Sequence, residues 1–191
     1  MIRVAVVDDH PAIRAGLALV IESEVDMTHV GAAARAEEVA PLVYRTQPDV
    51  VILDYHLPGG DGLELASRIK AAVPAPKIVL YSASADASFL VPGLVAGLDG
   101  IVNKASQPSE LFDAIRTVAR GERALPALTP QLLAAAGHTL APEDLPILGM
   151  LADRTAARDI AEVLRCSAEE LQRRLARMLS ALRVPRGPLP V

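Results

Sequence analysis

The chain has 191 residues, 51% of them hydrophobic and 22% charged; that suits one medium domain plus a small one and excludes a disordered or fibrous chain. The longest apolar runs, such as Val4 to Val7, are far too short to cross a bilayer, and the start MIRVAVVDDH places two acids where a secretory signal needs an apolar core. The single cysteine, Cys166, allows no internal disulfide, so a reducing, cytoplasmic setting without membrane attachment is expected.

Net charge is −4, unevenly spread: residues 1–137 carry 11 Lys/Arg against 16 Asp/Glu, and residues 138–191 carry 8 against 7. An acidic first part suits a cation-binding site. The near-neutral second part is not the strongly basic module that nucleic acid usually requires.

In chain order, short apolar, β-branched runs occur at Ile2–Val7, Met27–Ala33, Val50–Leu53, Ile78–Tyr81 and Gly100–Val102. They predict buried parallel strands. Helical patterns alternate with them at 11–24, 35–46, 61–73, 86–97 and 107–120. Strict alternation predicts an α/β fold with a doubly wound five-stranded parallel sheet over residues 1–120. Gly121 is expected to end the last of these helices. Pro92 and Gly93 interrupt the 86–97 pattern. Either the helix there is bent and loosened, or it starts late with proline in its first turn. Residues 121–138 read as a linker with a short helix at Pro130–Ala136, and residues 139–184 as a small all-α helix-turn-helix domain with helices at 142–152, 155–164 and 168–182. The prolines of residues 185–191 predict an irregular tail.

The chemistry-bearing residues sit where strands end. Asp8 and Asp9 follow the first strand, Asp54 the third; Ser82 ends the fourth and Lys104 follows the fifth. In a parallel doubly wound sheet all these ends lie along one edge, where ligands bind. Three carboxylates so placed repel one another unless a cation intervenes, and Mg²⁺ is the natural choice. Mg²⁺, a carboxylate, a hydroxyl and a lysine together suit phosphoryl transfer. Any single Asp here is equally explained as a helix cap or turn former; the joint pattern is what points to a site.

The blocks VAVVDDHP, VVILDYHLPGGDGLEL, IVLYSAS and GIVNKAS resemble the flavodoxin-like receiver domain of two-component response regulators. That resemblance implies that Asp54 accepts a phosphoryl group from a sensor histidine kinase. It implies Mg²⁺ held by Asp8, Asp9, Asp54 and the main-chain carbonyl of His56, with Asp9 as a direct ligand. Ser82 and Lys104 would bind the phosphoryl oxygens, and Pro58, Gly59 and Gly60 would shape the loop after the acceptor. The family's switch aromatic is replaced by Ile101, which has no ring to rotate, so a smaller output response is expected.

Residues 139–184 resemble the helix-turn-helix module of the LuxR/NarL class, with Asp159-Ile160-Ala161 in place of its Glu-Ile-Ala and Ser167 with Glu170 forming a capping box. The resemblance implies a transcription regulator, not an enzyme, that binds double-stranded DNA and dimerises on phosphorylation. Gln172, Arg173, Arg174 and Arg177 are the candidate DNA contacts. Glu169 and Glu170 stand at the end that would enter the groove, Arg165 replaces the glycine of the turn, and Pro185 and Pro188 predict that the tail lacks the fourth helix. A phosphorylation-controlled adaptor that no longer reads DNA is therefore the alternative. An aspartyl-phosphate phosphatase is a further alternative, against which stands His56, where that class needs a second Asp. Cys166 is read as a structural thiol in a core position, and no histidine has metal-ligand spacing.

Overall fold

A computed structural model describes residues 1–71 and 74–182. The expected tail at 185–191 and the question of a fourth helix lie outside the described residues.

Five parallel strands form one sheet in the order β2-β1-β3-β6-β7: β1 (Ile2–Val7), β2 (Met27–Ala33), β3 (Val50–Leu53), β6 (Lys77–Ser82) and β7 (Gly100–Asn103). Two further strands, β4 (His56–Leu57) and β5 (Gly60–Asp61), make a two-residue antiparallel hairpin after β3. Strand side chains alternate between two cores, as the pleat requires. Val4, Val6, Val50, Ile52 and Val79 pack with α1 (Pro11–Glu22) and α5 (Pro108–Ala119). Ala5, Val7, Val51, Leu53, Ile78 and Leu80 face α2 (Ala36–Thr46), α3 (Gly62–Lys70) and α4 (Leu90–Ala96).

The second core does not stop at α4. It continues without a break into α6 (Pro130–Thr139), α7 (Leu145–Ala152), α8 (Ala157–Val163) and α9 (Ala168–Ala181). Helix α9 packs on α3 and α4, and α6 and α7 also meet α4. All seven residues of α4, LVPGLVA, are buried. A helix apolar all round is one covered on every side, and α4 lies between the sheet and the C-terminal helices.

Of the two readings of 86–97, the late start with proline in the first turn is the one found, and the bent, loosened helix is not. A 3₁₀ turn at Ala87–Phe89, capped by the Asp86 carboxylate accepting from Ser88 N, leads into α4, which starts at Leu90. Pro92 then falls in the first turn, where its missing N–H leaves no intrahelical bond unmade. Gly93 sits where an added Cβ would lie 2.9 Å from Leu98 Cδ1 and 3.2 Å from Ile101 Cδ1, so it permits close packing and does not loosen the helix. Gly121, at φ +84, follows α5 as expected. Arg165 adopts φ +52 in the turn before α9, taking the left-handed conformation of the glycine it replaces.

Candidate functional site

The parallel sheet brings the ends of β1, β3, β6 and β7 to one edge. Asp8 and Asp54 are buried there, as is Ser82 at 1% exposure. Lys104 Nζ, which descends from a residue 50 positions beyond Asp54, donates to Asp8 Oδ2 at 2.6 Å and to Asp54 Oδ2 at 2.9 Å. The second oxygen of each acid is held by main chain: Tyr55 N donates to Asp54 Oδ1 at 2.7 Å, and His10 N to Asp8 Oδ1 at 2.8 Å. Burial alone pushes the Lys104 ammonium down, but its hydrogen bonds to Asp8 and Asp54 outweigh burial and hold it above the ordinary lysine value.

Glycine fixes the surroundings of Asp54 at one point. An added Cβ on Gly62 would lie 2.4 Å from Asp54 O and 2.8 Å from Tyr55 Cα. Gly62 N also donates to Tyr55 O at 2.8 Å. The start of α3 is thus pressed against the backbone of Asp54 and Tyr55, which only a residue without a side chain allows. Gly59, at φ +89, makes the hairpin turn.

Ligand atoms of Asp8, Asp9, His10 and Asp54 all lie within 4.8 Å of one another. The three carboxylates offer the hard oxygen donors that Mg²⁺ prefers. Asp9 Oδ1 is buried without a hydrogen-bond partner, although His10 Nδ1 is only 2.7 Å away, which leaves that oxygen's acceptor capacity free. The donor set therefore fits a divalent cation. His10 was not found by ligand spacing; the signal available was its adjacency to the acid pair at the N-cap of α1. The main chain of His56 pairs with Asp61 in the hairpin, and its ring meets Tyr55 edge-on at 4.8 Å.

Ser82 stands one strand away. Its Oγ accepts from Ser84 N at 3.4 Å, and its carbonyl accepts from Lys104 N at 3.1 Å. Ile101, on β7, is half-buried and points its Cδ1 at α4 beside Gly93. The residue at the expected switch position thus packs inward against the buried helix.

The candidate DNA contacts are engaged within the chain. Arg174 Nε donates to the buried Asp144 at 2.9 Å, and its Nη2 reaches the Glu143 carbonyl. Arg177 Nη2 lies 3.0 Å from the same Asp144 carboxylate. Arg173 pairs with Glu169 at 3.0 Å and Glu170 at 2.6 Å. Gln172 is half-buried. The capping box is half built: Ser167 Oγ accepts from Glu170 N at 3.1 Å, while the Glu170 carboxylate turns to Arg173. Asp144 was missed from sequence; its signal was an acid followed by two arginines on one face of a later helix. Cys166 is half-buried and packs at the edge of the core.

The family described as the response regulator receiver domain matches residues 4–116. The chain belongs to the response regulator receiver family. A transcriptional regulatory protein of Bacillus subtilis, YxjL, is 34% identical over 93% of this chain and 88% of its own length. A LuxR-family two-component response regulator from Aurantimonas, whose crystal structure is known, is 34% identical with a TM-score of 0.62, covering 70% of this chain and 94% of that one. The structure of RcsB from Salmonella enterica bound to a promoter aligns over 97% of this response regulator and 93% of its own chain at a TM-score of 0.63; at 24% identity it shows the fold alone. None of the described helices is long and apolar enough to cross a membrane.

Proposed function

We propose that this response regulator accepts a phosphoryl group on Asp54 from a sensor histidine kinase and regulates transcription through its C-terminal helices. The observation that carries the reading is Lys104 bridging Asp8 and Asp54 at the end of a parallel sheet. Residues 1–120 form the receiver and residues 139–184 the output domain, with 121–138 between them.

In the transfer, an Asp54 carboxylate oxygen attacks phosphorus, the P–N bond of the donor phosphohistidine breaks, and the freed imidazole nitrogen takes up a proton. Tyr55 N–H keeps Oδ1 oriented, so Oδ2 is the attacking atom. Lys104 must release that oxygen and follow the incoming phosphoryl oxygens, where its charge offsets theirs. Asp8, Asp9, Asp54 and the His56 carbonyl would hold Mg²⁺, which supplies further charge neutralisation at the phosphoryl group. Ser82 Oγ, hydrogen-bonded only weakly at 3.4 Å, is available to take one of those oxygens.

Transcriptional output follows the relatives, and the geometry sets a condition on it. Helix α9 lies on α3 and α4; to enter a major groove it must leave them. Separation would also bare the faces through which a phosphorylated homodimer forms. The setting is cytoplasmic, where kinase and double-stranded DNA are both at hand. Incubation with Mg²⁺ and acetyl phosphate should add one phosphoryl group, mapped by mass spectrometry to Asp54. Labelling that persists in Asp54→Asn, or in excess EDTA, would sink the assignment.

A further inference from the structure

A cavity of about 310 Å³ lies in the seam between the α/β part and the C-terminal helices. One wall is apolar, with Leu90 and Leu94 from α4 and Leu133 from α6; two arginines, Arg123 and Arg154, line it as well. Arg123 Nη1 donates to Leu151 O at 2.9 Å, tying the segment after α5 to the last turn of α7. One further guanidinium, that of Arg154, stands just past that turn. Arg154 is exposed and held at φ +64 by its main-chain N donating to Leu151 O at 3.1 Å, and its side chain pairs with no described residue. Burial first, and the Arg154 charge second, push the Arg123 guanidinium below its ordinary value, with Asp99 opposing. Two cations thus face one half-apolar hollow with most of their donors unused. The half-buried Arg123 charge, set beside the exposed one of Arg154, is stabilised by an anion that enters the hollow. The volume sits at the small end of ligand pockets, which occur preferentially at domain seams.

We propose that this seam binds a small amphipathic anion, a carboxylate or phosphate monoester on a short apolar chain, with its charged end on Arg123 and Arg154 and its chain against Leu90, Leu94 and Leu133. Such a ligand touches both halves of the molecule at once. It therefore favours the packed arrangement over the separated one by its differential affinity, and acts as an input independent of Asp54.

The test uses the full unphosphorylated chain, calorimetric titration and thermal melts. Octanoate and octyl phosphate are the anionic probes; octanol and inorganic phosphate carry the chain and the charge separately. At least one anionic probe should bind saturably and raise the melting midpoint, while octanol and inorganic phosphate at equal concentration do neither. Which anionic probe binds tighter distinguishes the carboxylate from the phosphate source. Arg154→Gln should weaken binding about tenfold, the worth of one charge-assisted hydrogen bond, and leave the ligand-free midpoint unchanged. Ala127→Phe, at the exposed rim, should block binding while both arginines remain. Binding of octanol as tight as that of octanoate, or full affinity in either variant, overturns the proposal.

Discussion

The two ends of the molecule are organised around ion clusters of different balance. At the sheet edge, Asp8, Asp9 and Asp54 stand against the single ammonium of Lys104. In the C-terminal half, the buried Asp144 and the exposed Glu143 stand against two guanidiniums, Arg174 and Arg177. Asp8, Asp54 and Asp144 are buried, where an imbalance of charge is expensive. The first cluster has negative charge to spare, which suits a cation. The second is balanced, two acids against two guanidiniums, and its arginines are already oriented by Asp144. The sign left over in a buried cluster indicates which partner can complete it, and the closeness of the internal pairing indicates how much must first be undone.

That contrast can be broken most sharply at Asp54. Asp54→Asn should abolish phosphorylation by acetyl phosphate yet leave the fold intact, because asparagine keeps an oxygen for Tyr55 N; intact-mass spectrometry and circular dichroism read both. Asp144→Ala comes next. Removing the acid leaves Arg174 and Arg177 without their buried counter-charge, a change worth about 3–5 kcal/mol, measured by urea denaturation. The surviving folded protein should bind duplex DNA more tightly at low salt, with a steeper salt dependence. A variant as stable as the parent would show that the Asp144 cluster is solvated and the comparison false.

Gly62→Ala should destabilise through backbone overlap at Asp54 and Tyr55, by about 1–3 kcal/mol as overpacking usually does, and should slow labelling of Asp54 more than the equivalent Gly60→Ala. Equal labelling rates would mean that the turn relaxes freely. The smallest effect is on pH. The Lys104 pKa is raised by its two carboxylate partners, so its contribution is complete below the unfolded-state lysine value of about 10.4 and fades as pH rises through the folded value above it. Lys104→Met should flatten the alkaline limb of the stability curve between the two values. An unchanged limb would show that Lys104 is not coupled to Asp8 and Asp54.

The sheet edge was legible because a period-2 core leaves its punctuation in the sequence: Val4 to Val7 must end somewhere, and Asp8 marks where. Lys104 could be joined to Asp54 only through topology, since nothing local links residues 50 apart. The β4–β5 hairpin was not legible, because two-residue strands have no periodicity. His10 was passed over because no histidine has metal-ligand spacing in the sequence, while the structure uses adjacency at a helix start. The covering of α4 was available and unread. Pro92 and Gly93 drew attention to breaking, whereas the absence of any polar residue from LVPGLVA was the stronger signal. The reading of a loosened helix at 86–97, which would have added to the smaller output response expected from Ile101, loses its premise. What remains is Ile101, now seen wedged against Gly93, where the ring of Ile101→Tyr would have to displace α4 or turn outward.

The complete burial of α4 has a consequence for biosynthesis. During translation the sheet and α4 leave the ribosome first, and α6 to α9, which finish the same core, follow from residue 130 onward. At about 5–20 residues per second, α4 shows a bare apolar face for several seconds in every newly made molecule. That interval is when neighbouring nascent chains on one messenger are most apt to stick together.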